Sequence, residues 1–210
     1  MKRIFLHIVI LALLPVCASA GERDRAFPRV TFGIEGSAAV TLGMFYHYNY
    51  IAEEGYRVNR KGMNRRAALN GQLAASVGCN FSRNINLSLN LGMSGIYRSK
   101  VMFPASLRAT VLFGDSPLEN RWFTFAEGGA GISFEGEDER PSPFGKLGAG
   151  YRISLSRSVK LDFLFACQLV YTHPDVSEDA GGVIIPVTGD RLRRNEAFVS
   201  ALTFGIGLSF

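Results

Sequence analysis

The eight residues TFGIGLSF, Thr203 to Phe210, end the chain and alternate a bulky apolar side chain with a small or polar one. Extended backwards, the bulky set is Phe198, Leu202, Phe204, Ile206, Leu208 and Phe210. The other set is Ala197, Val199, Ala201, Thr203, Gly205, Gly207 and Ser209. A two-residue period puts the two sets on opposite faces of a strand. In a sheet bathed by water, the bulky face would turn to a core and the small face to solvent. Here the second face is tiny and uncharged, which suits the crowded interior of a narrow barrel whose outside touches lipid.

Seven more segments repeat the pattern upstream. The first, Val30 to about Val40, sends Val30, Phe32 and Ile34 to one face and Thr31, Gly33, Glu35 and Ser37 to the other. The second, about Ala67 to Phe81, puts Leu69, Leu73, Val77 and Phe81 out and Asn70, Gln72, Ser76 and Asn80 in. The third alternates Ile85, Leu87, Leu89, Leu91 and Met93 with Asn86, Ser88, Asn90, Gly92 and Ser94. The fourth, about Val101 to Gly114, points Leu107, Val111 and Phe113 outward and Ser106, Arg108 and Thr110 inward.

The fifth, Arg121 to about Glu135, admits two facings. If Glu127 avoids lipid, then Trp122, Ala126, Ala130, Ile132 and Phe134 face out while Phe123 and Phe125 point inward. The sixth, about Phe144 to Leu155, exposes Leu147, Ala149, Tyr151, Ile153 and Leu155 and turns in Lys146, Gly148, Gly150, Arg152 and Ser154. The seventh, about Val159 to Thr172, exposes Leu161, Phe163, Phe165, Leu169 and Tyr171 above an inner face carrying Lys160, Asp162 and Gln168. Counting the terminal segment as the eighth, the expected fold is all-β, an eight-stranded antiparallel up-and-down transmembrane β-barrel. The segments match the roughly 9–11 residues that a tilted strand needs to cross a bilayer.

Connections alternate in length. Short links sit at Ser82-Arg83-Asn84, Asp115 to Asn120 and Ser156-Arg157-Ser158. Between them fall a long connection near Tyr46 to Arg66, a shorter one near Arg98 to Lys100, an acidic one near Glu135 to Pro141 and a long one near His173 to Glu196. Barrels of this kind keep short periplasmic turns and long extracellular loops, so both termini are expected in the periplasm.

The start of the chain agrees. Lys2 and Arg3 precede the apolar run Ile4 to Val16 and then Ala18-Ser19-Ala20, the pattern of a secretory signal peptide over residues 1–20, with the barrel domain over 21–210. Cys17 follows an apolar stretch, but Val16 stands where a lipoprotein signal has a small residue. The 210 residues carry a formal charge of +5, or +3 without Lys2 and Arg3, spread along the chain, which does not suggest nucleic acid. Cys79 and Cys167 fall on strands that are not neighbours and are expected to stay separate and lipid-facing.

With these segments in hand, the chain resembles the small outer-membrane β-barrel proteins of Gram-negative bacteria, of the OmpA/OmpX-like class. HYNYI in the first loop and FGDSP in a turn resemble its Bacteroides-type members. The terminal octet is similar to that family's assembly signal, with Thr203, Gly205, Leu208 and Phe210 at the matching positions. The resemblance implies reading by the barrel-assembly machinery, contact with outer-membrane lipid and lipopolysaccharide, and a monomer.

Eight strands leave an interior filled by side chains. The facings bring Glu35, Arg108, Glu127, Lys146, Arg152, Lys160 and Asp162 into it, where unpaired charge is costly. A salt-bridge network that stiffens the barrel is the expectation, and a narrow ion path or gated plug the alternative. A lipid-A-modifying enzyme would need an activated serine, a histidine and an acid. His47 and His173 lie at predicted rims, the latter near Asp175, Ser177, Glu178 and Asp179, in no enzyme motif. No catalytic residue, cofactor or metal site is expected, and Glu135, Glu137, Asp138 and Glu139 read as a solvated loop rather than a cation site. Phe45, Tyr46, Tyr48 and Tyr50 read as an interfacial girdle, with a ligand-facing patch as the alternative. Arg57, Arg60, Lys61, Arg65 and Arg66 are suited to phosphates at the membrane surface. A soluble lipocalin-like barrel would expose Leu87, Leu89, Leu91 and Phe163 to water. The expected role is non-enzymatic: envelope integrity or surface interaction through the loops, with a small transport or ligand-binding barrel as the alternative.

Overall fold

The computed structural model describes residues 29–65, 67–97, 100–114, 116, 119–133, 140–180 and 183–210. The expected leader, Cys17, Arg66, Phe134 and the acidic stretch from Glu135 to Glu139 lie outside them. Among the described residues no helix is long and apolar enough to cross a membrane. The chain forms β1 (Val30–Ile51), β2 (Arg57–Asn64), β3 (Leu69–Asn80), β4 (Ile85–Tyr97), β5 (Lys100–Leu112) and β6 (Arg121–Ser133). There follow β7 (Ser142–Ser154), β8 (Lys160–Thr172), β9 (Ser177–Ala180), β10 (Val183–Pro186) and β11 (Leu192–Ser209). Eight of these, β1, β3 to β8 and β11, pair antiparallel with their neighbours in chain order, and β11 pairs back onto β1 to close the ring. The result is an all-β, closed eight-stranded antiparallel barrel.

Alternation in the sequence becomes inside and outside in the barrel. Ile34, Leu73, Met93, Leu107, Trp122, Leu147, Phe165 and Phe204, one from each barrel strand, are large apolar side chains left exposed on the outer wall. Phe123, Phe125 and Glu127 are buried inside, and Trp122 points out, so the fifth segment takes the facing that keeps Glu127 from lipid. Trp122 and Tyr151 pack ring to ring outside, 5.0 Å apart, towards the end that holds the chain terminus.

The structure departs from expectation at the opposite, distal end. The long connection read from Tyr46 to Arg66 is mostly strand: β1 runs to Ile51, turns, and returns as β2 in register from Ile51↔Arg57 to Met44↔Asn64. The connection from His173 to Glu196 holds the hairpin β9–β10 and the first residues of β11. At about 3.3 Å per residue, the 22-residue β1 is roughly 70 Å long, over twice the thickness of a hydrocarbon core. A bulge between Thr41 and Gly43 leaves Leu42 without a partner on β11 and exchanges the faces of β1 beyond it. Below the bulge odd-numbered residues point inward. Above it Met44 is buried and Phe45 exposed.

That exchange corrects the girdle. Tyr46 packs against the buried cluster of Met44, Met102, Phe144, Val170, Ala197 and Val199, and Tyr48 stacks on it at 4.8 Å, so both face inward rather than to an interface. The cysteines also need a correction. Cys167 is free and exposed, but Cys79 is buried despite its outward position in the alternation. Cys79 and Cys167 are not bonded to each other: Cys79 lies opposite Val30 and Leu87, and Cys167 opposite Leu147 and Leu202.

Glycines admit the large inward rings. Phe123 lies opposite Gly150 and Phe125 opposite Gly148. A β-carbon on Gly150 would come within 2.3 Å of both Phe123 Cζ and the Phe163 carbonyl oxygen. On Gly131 the nearest atom would be the flexible Met102 Sδ, 2.5 Å away. Overpacking against rigid neighbours costs about 1–3 kcal/mol, whereas a methionine can swing aside. Urea unfolding of the detergent-refolded barrel should therefore show Gly150→Ala destabilised by about 1–3 kcal/mol and Gly131→Ala by less.

Candidate functional site: the sealed lumen and the distal hairpins

Alternate residues of neighbouring strands share a level inside a barrel, so register decides which charges meet. Arg108 of β5 stands opposite Glu127 of β6, and Glu127 opposite Lys146 of β7. Glu35 reaches the same level from β1. The Arg108 guanidinium bridges both carboxylates, with Nη1 2.6 Å from Glu35 Oε2 and Nη2 2.7 Å from Glu127 Oε2. Its Nε donates to Glu127 Oε2 at 2.9 Å, and Ser106 Oγ donates to Glu127 Oε1 at 2.6 Å. Lys146 does not ion-pair here. Its Nζ donates to Gln72 Oε1 at 2.9 Å, and Gln72 Nε2 donates across the lumen to Gln168 Oε1 at 2.7 Å. Two positive and two negative groups thus form one neutral, hydrogen-bonded layer, as a low-dielectric interior demands.

A second charged layer lies nearer the chain-terminal mouth. Arg152 binds Asp162 through two bonds of 2.7 Å, from Nε to Oδ1 and from Nη2 to Oδ2. Arg121, directly opposite Arg152 in register, turns its Nη1 to the Arg83 carbonyl oxygen at 3.0 Å. Lys160 corrects the expected network. Its ammonium bends back to the carbonyls of Ser156 and Arg157, at 2.9 and 3.4 Å, because a four-carbon stem at the first position of β8 reaches the turn before it reaches the lumen. The expected single network is therefore two separate layers with Lys160 outside them.

Apolar packing separates and caps these layers. Leu112, Phe123, Phe125, Leu164 and Ala166, from β5, β6 and β8, pack together between the two charged levels on one side of the barrel. The Arg108 guanidinium carbon sits 4.7 Å from the centre of the Phe125 ring, a cation–π contact. The cluster around Met102 and Phe144, with Tyr46 against it, closes the distal side. Two small cavities lie among these side chains. One of about 20 Å³ is lined by Gln72, Arg108, Glu127 and Lys146, and one of about 70 Å³ by Arg108, Phe123, Arg152 and Asp162. The smaller has room for about one water. Among the described residues these charged, polar and apolar side chains occupy much of the lumen.

His47, on β1, and His173, just after β8, lie at the distal end. His47 Nε2 lies 3.0 Å from Asn59 Oδ1, and Arg57 Nε donates to Asn49 Oδ1 at 3.0 Å, tying β2 to β1. His173 meets the Tyr171 ring edge-on at 5.0 Å. Arg191 Nη1 binds Glu178 Oε1 at 2.7 Å, which anchors β9 and holds the arginine charged above its usual range. In the neighbouring turn a hydrogen bond from Thr188 holds the Asp190 carboxyl below the usual carboxylate range. Among the described residues no group of three or more histidine, cysteine, aspartate or glutamate side chains could hold a metal ion.

Thr203, Gly205, Leu208 and Phe210 lie on the closing seam. Phe210 N donates to Phe32 O at 2.8 Å and Phe32 N to Phe210 O at 3.1 Å, while the Phe210 ring stays exposed on the outer wall. Gly205 stands opposite Ser37, whose Cβ would lie 3.0 Å from an added β-carbon. Charge alone does not pick out Gln72, Gln168, Ser106 or Phe125, which complete the hydrogen bonds and packing of the charged groups. Their shared inward parity was the available signal.

Removing one partner of a buried ion pair costs about 3–5 kcal/mol, because the other charge is stranded. Arg108→Met, which strands Glu35 and Glu127, should lower the urea midpoint accordingly. Adding Glu127→Gln to it, which leaves Glu35 to balance Lys146, should restore most of the loss, and an unrestored midpoint would show that Arg108 acts through packing alone.

No family model matches the chain, and no curated protein matches it. Solved structures do. Neisserial surface protein A is 14% identical, with 85% of this chain and 97% of that chain covered and a TM-score of 0.44. The outer membrane protein OprG from Pseudomonas aeruginosa is 10% identical, covering 89% and 99%, with a TM-score of 0.46. The outer membrane protein AlkL, solved in lipid bilayers, is 14% identical, covering 90% and 94%, with a TM-score of 0.43.

Proposed function

We propose that this chain is an integral outer-membrane β-barrel, non-enzymatic and monomeric, with a sealed structural lumen and hairpins that carry surface interaction. The observation that carries the reading is the outer wall. Large apolar side chains stand exposed on every barrel strand, with the charges inside. Water would not tolerate so extensive an apolar band on a monomer, whereas lipid is its natural solvent. Both termini would face the periplasm, and the long β1–β2 and β9–β10 hairpins the cell exterior, where they would meet lipopolysaccharide. The non-enzymatic reading is supported by the ion pair that already holds Glu178, one of the acids near His173, to Arg191.

Two measurements test this. The full chain refolded into planar bilayers should give no stable conductance steps; a steady open channel would favour the transport alternative and sink the structural lumen. In cells, Phe210→Ala should lower the folded fraction in the outer membrane severalfold while leaving refolding into detergent nearly unchanged. Equal loss in both settings would mean that Phe210 matters only to the seam.

A further inference from the structure

Three cross-strand rows stack on the outer face of the distal sheet formed by β2, β1 and β11. The lowest is Met63–Phe45–Phe198, the next Lys61–His47–Glu196, and the highest Asn59–Asn49–Arg194. Successive rows on one face are about 7 Å apart. The wall therefore passes from apolar to charged within the length of a lipid headgroup. Phe45, Met63 and Phe198 are each more than two-fifths exposed, and Tyr171 of β8 extends their surface with its ring 4.9 Å from that of Phe198. A recess of about 530 Å³ lies against these rows, bounded by the apolar row and by Lys61, His47, Arg194 and Glu196.

The charge in this recess is unbalanced. Glu196 is already bound, its Oε2 2.6 Å from Arg194 Nη2. That contact uses one of the five donors of a guanidinium. Lys61 is exposed and makes no ion pair or side-chain hydrogen bond among the described residues. Its ammonium and the remaining Arg194 donors flank a site whose apolar side is the row of Phe45, Met63 and Phe198.

We infer that this recess binds a phosphate-bearing lipid of the surrounding leaflet, with an acyl chain along Phe45, Met63 and Phe198 and the phosphate between Lys61 and Arg194. The inference rests on the membrane reading above. It adds a defined site to a wall that would otherwise contact lipid without preference. A free anion lacks the acyl chain that the apolar row would cover, so the ligand is a lipid and not soluble phosphate.

Arg60 supplies the control, because it falls on the opposite face of β2, in the row Tyr48–Arg60–Asn195. Lys61→Ala and Arg60→Ala remove the same charge from two faces of one strand. The full chain, refolded in detergent with dimyristoyl phosphatidic acid or dimyristoyl phosphatidylcholine, is read by native mass spectrometry for retained lipid. The unaltered chain should retain phosphatidic acid over phosphatidylcholine by about tenfold, Lys61→Ala should abolish the preference, and Arg60→Ala should keep it. Equal effects of the two substitutions, or none, would overturn the site. Displacement of the lipid by millimolar inorganic phosphate would overturn the assignment to a lipid. A chain that fails to insert into phosphatidylcholine vesicles overturns the membrane reading and this inference together, whereas insertion without lipid preference overturns this inference alone.

Discussion

Everything in this molecule depends on the antiparallel seam between its first and last strands. An apolar wall requires that no backbone amide or carbonyl be left open to lipid, where each unsatisfied group costs several kcal/mol. Strands β3 to β8 satisfy one another in sequence, and the remaining two edges must meet. They do so in register from Gly33↔Ser209 to Tyr50↔Leu192, with one bulge at Leu42 and a second irregularity at Asn49. On the inner side Gly205 stands opposite Ser37, whose Cβ would lie only 3.0 Å from an added β-carbon, whereas Gly207 faces Glu35 with ordinary room to spare.

Closure creates the second problem, a narrow interior into which long charged side chains must fit. The solution is layering. In the first level Arg108 is compensated by two carboxylates; in the second Asp162 compensates Arg152 while Arg121 turns to a backbone carbonyl, and apolar side chains lie between the two. Phe123 and Phe125 enter that space only because Gly150 and Gly148 face them across the β6–β7 ladder. The aromatic rings also cover the guanidinium faces, with Arg152 5.7 Å from the Phe123 ring centre. Polar satisfaction and dense packing are here the same set of contacts.

Much of this was legible because a two-residue period carries facing directly. Glu127 alone was enough to orient β6, since a carboxylate in lipid has no physical remedy, and the inward turn of Phe123 and Phe125 followed. Register was legible only coarsely, so the meeting of Arg108 with Glu35 and Glu127 could be expected as a network but not as a named triad. The distal end resisted for a different reason. One unpaired residue, Leu42, reverses parity, and no pattern in TLGMF marks the reversal; Tyr46 and Tyr48 consequently moved from the outside to the inside. Lys160 failed because parity fixes a Cβ direction, not where a flexible ammonium ends.

The seam has a consequence in time. Its two halves are the first and the last strands of the barrel, so residue 33 cannot find residue 209 until the whole chain is available. Contacts of such long range are slow to form, and until they do, both edges stand open to unwanted pairing. This barrel therefore cannot be completed strand by strand during synthesis. Its lumen charges reach their partners, and its wall becomes continuous, only in a late event that the C-terminal strand brings about.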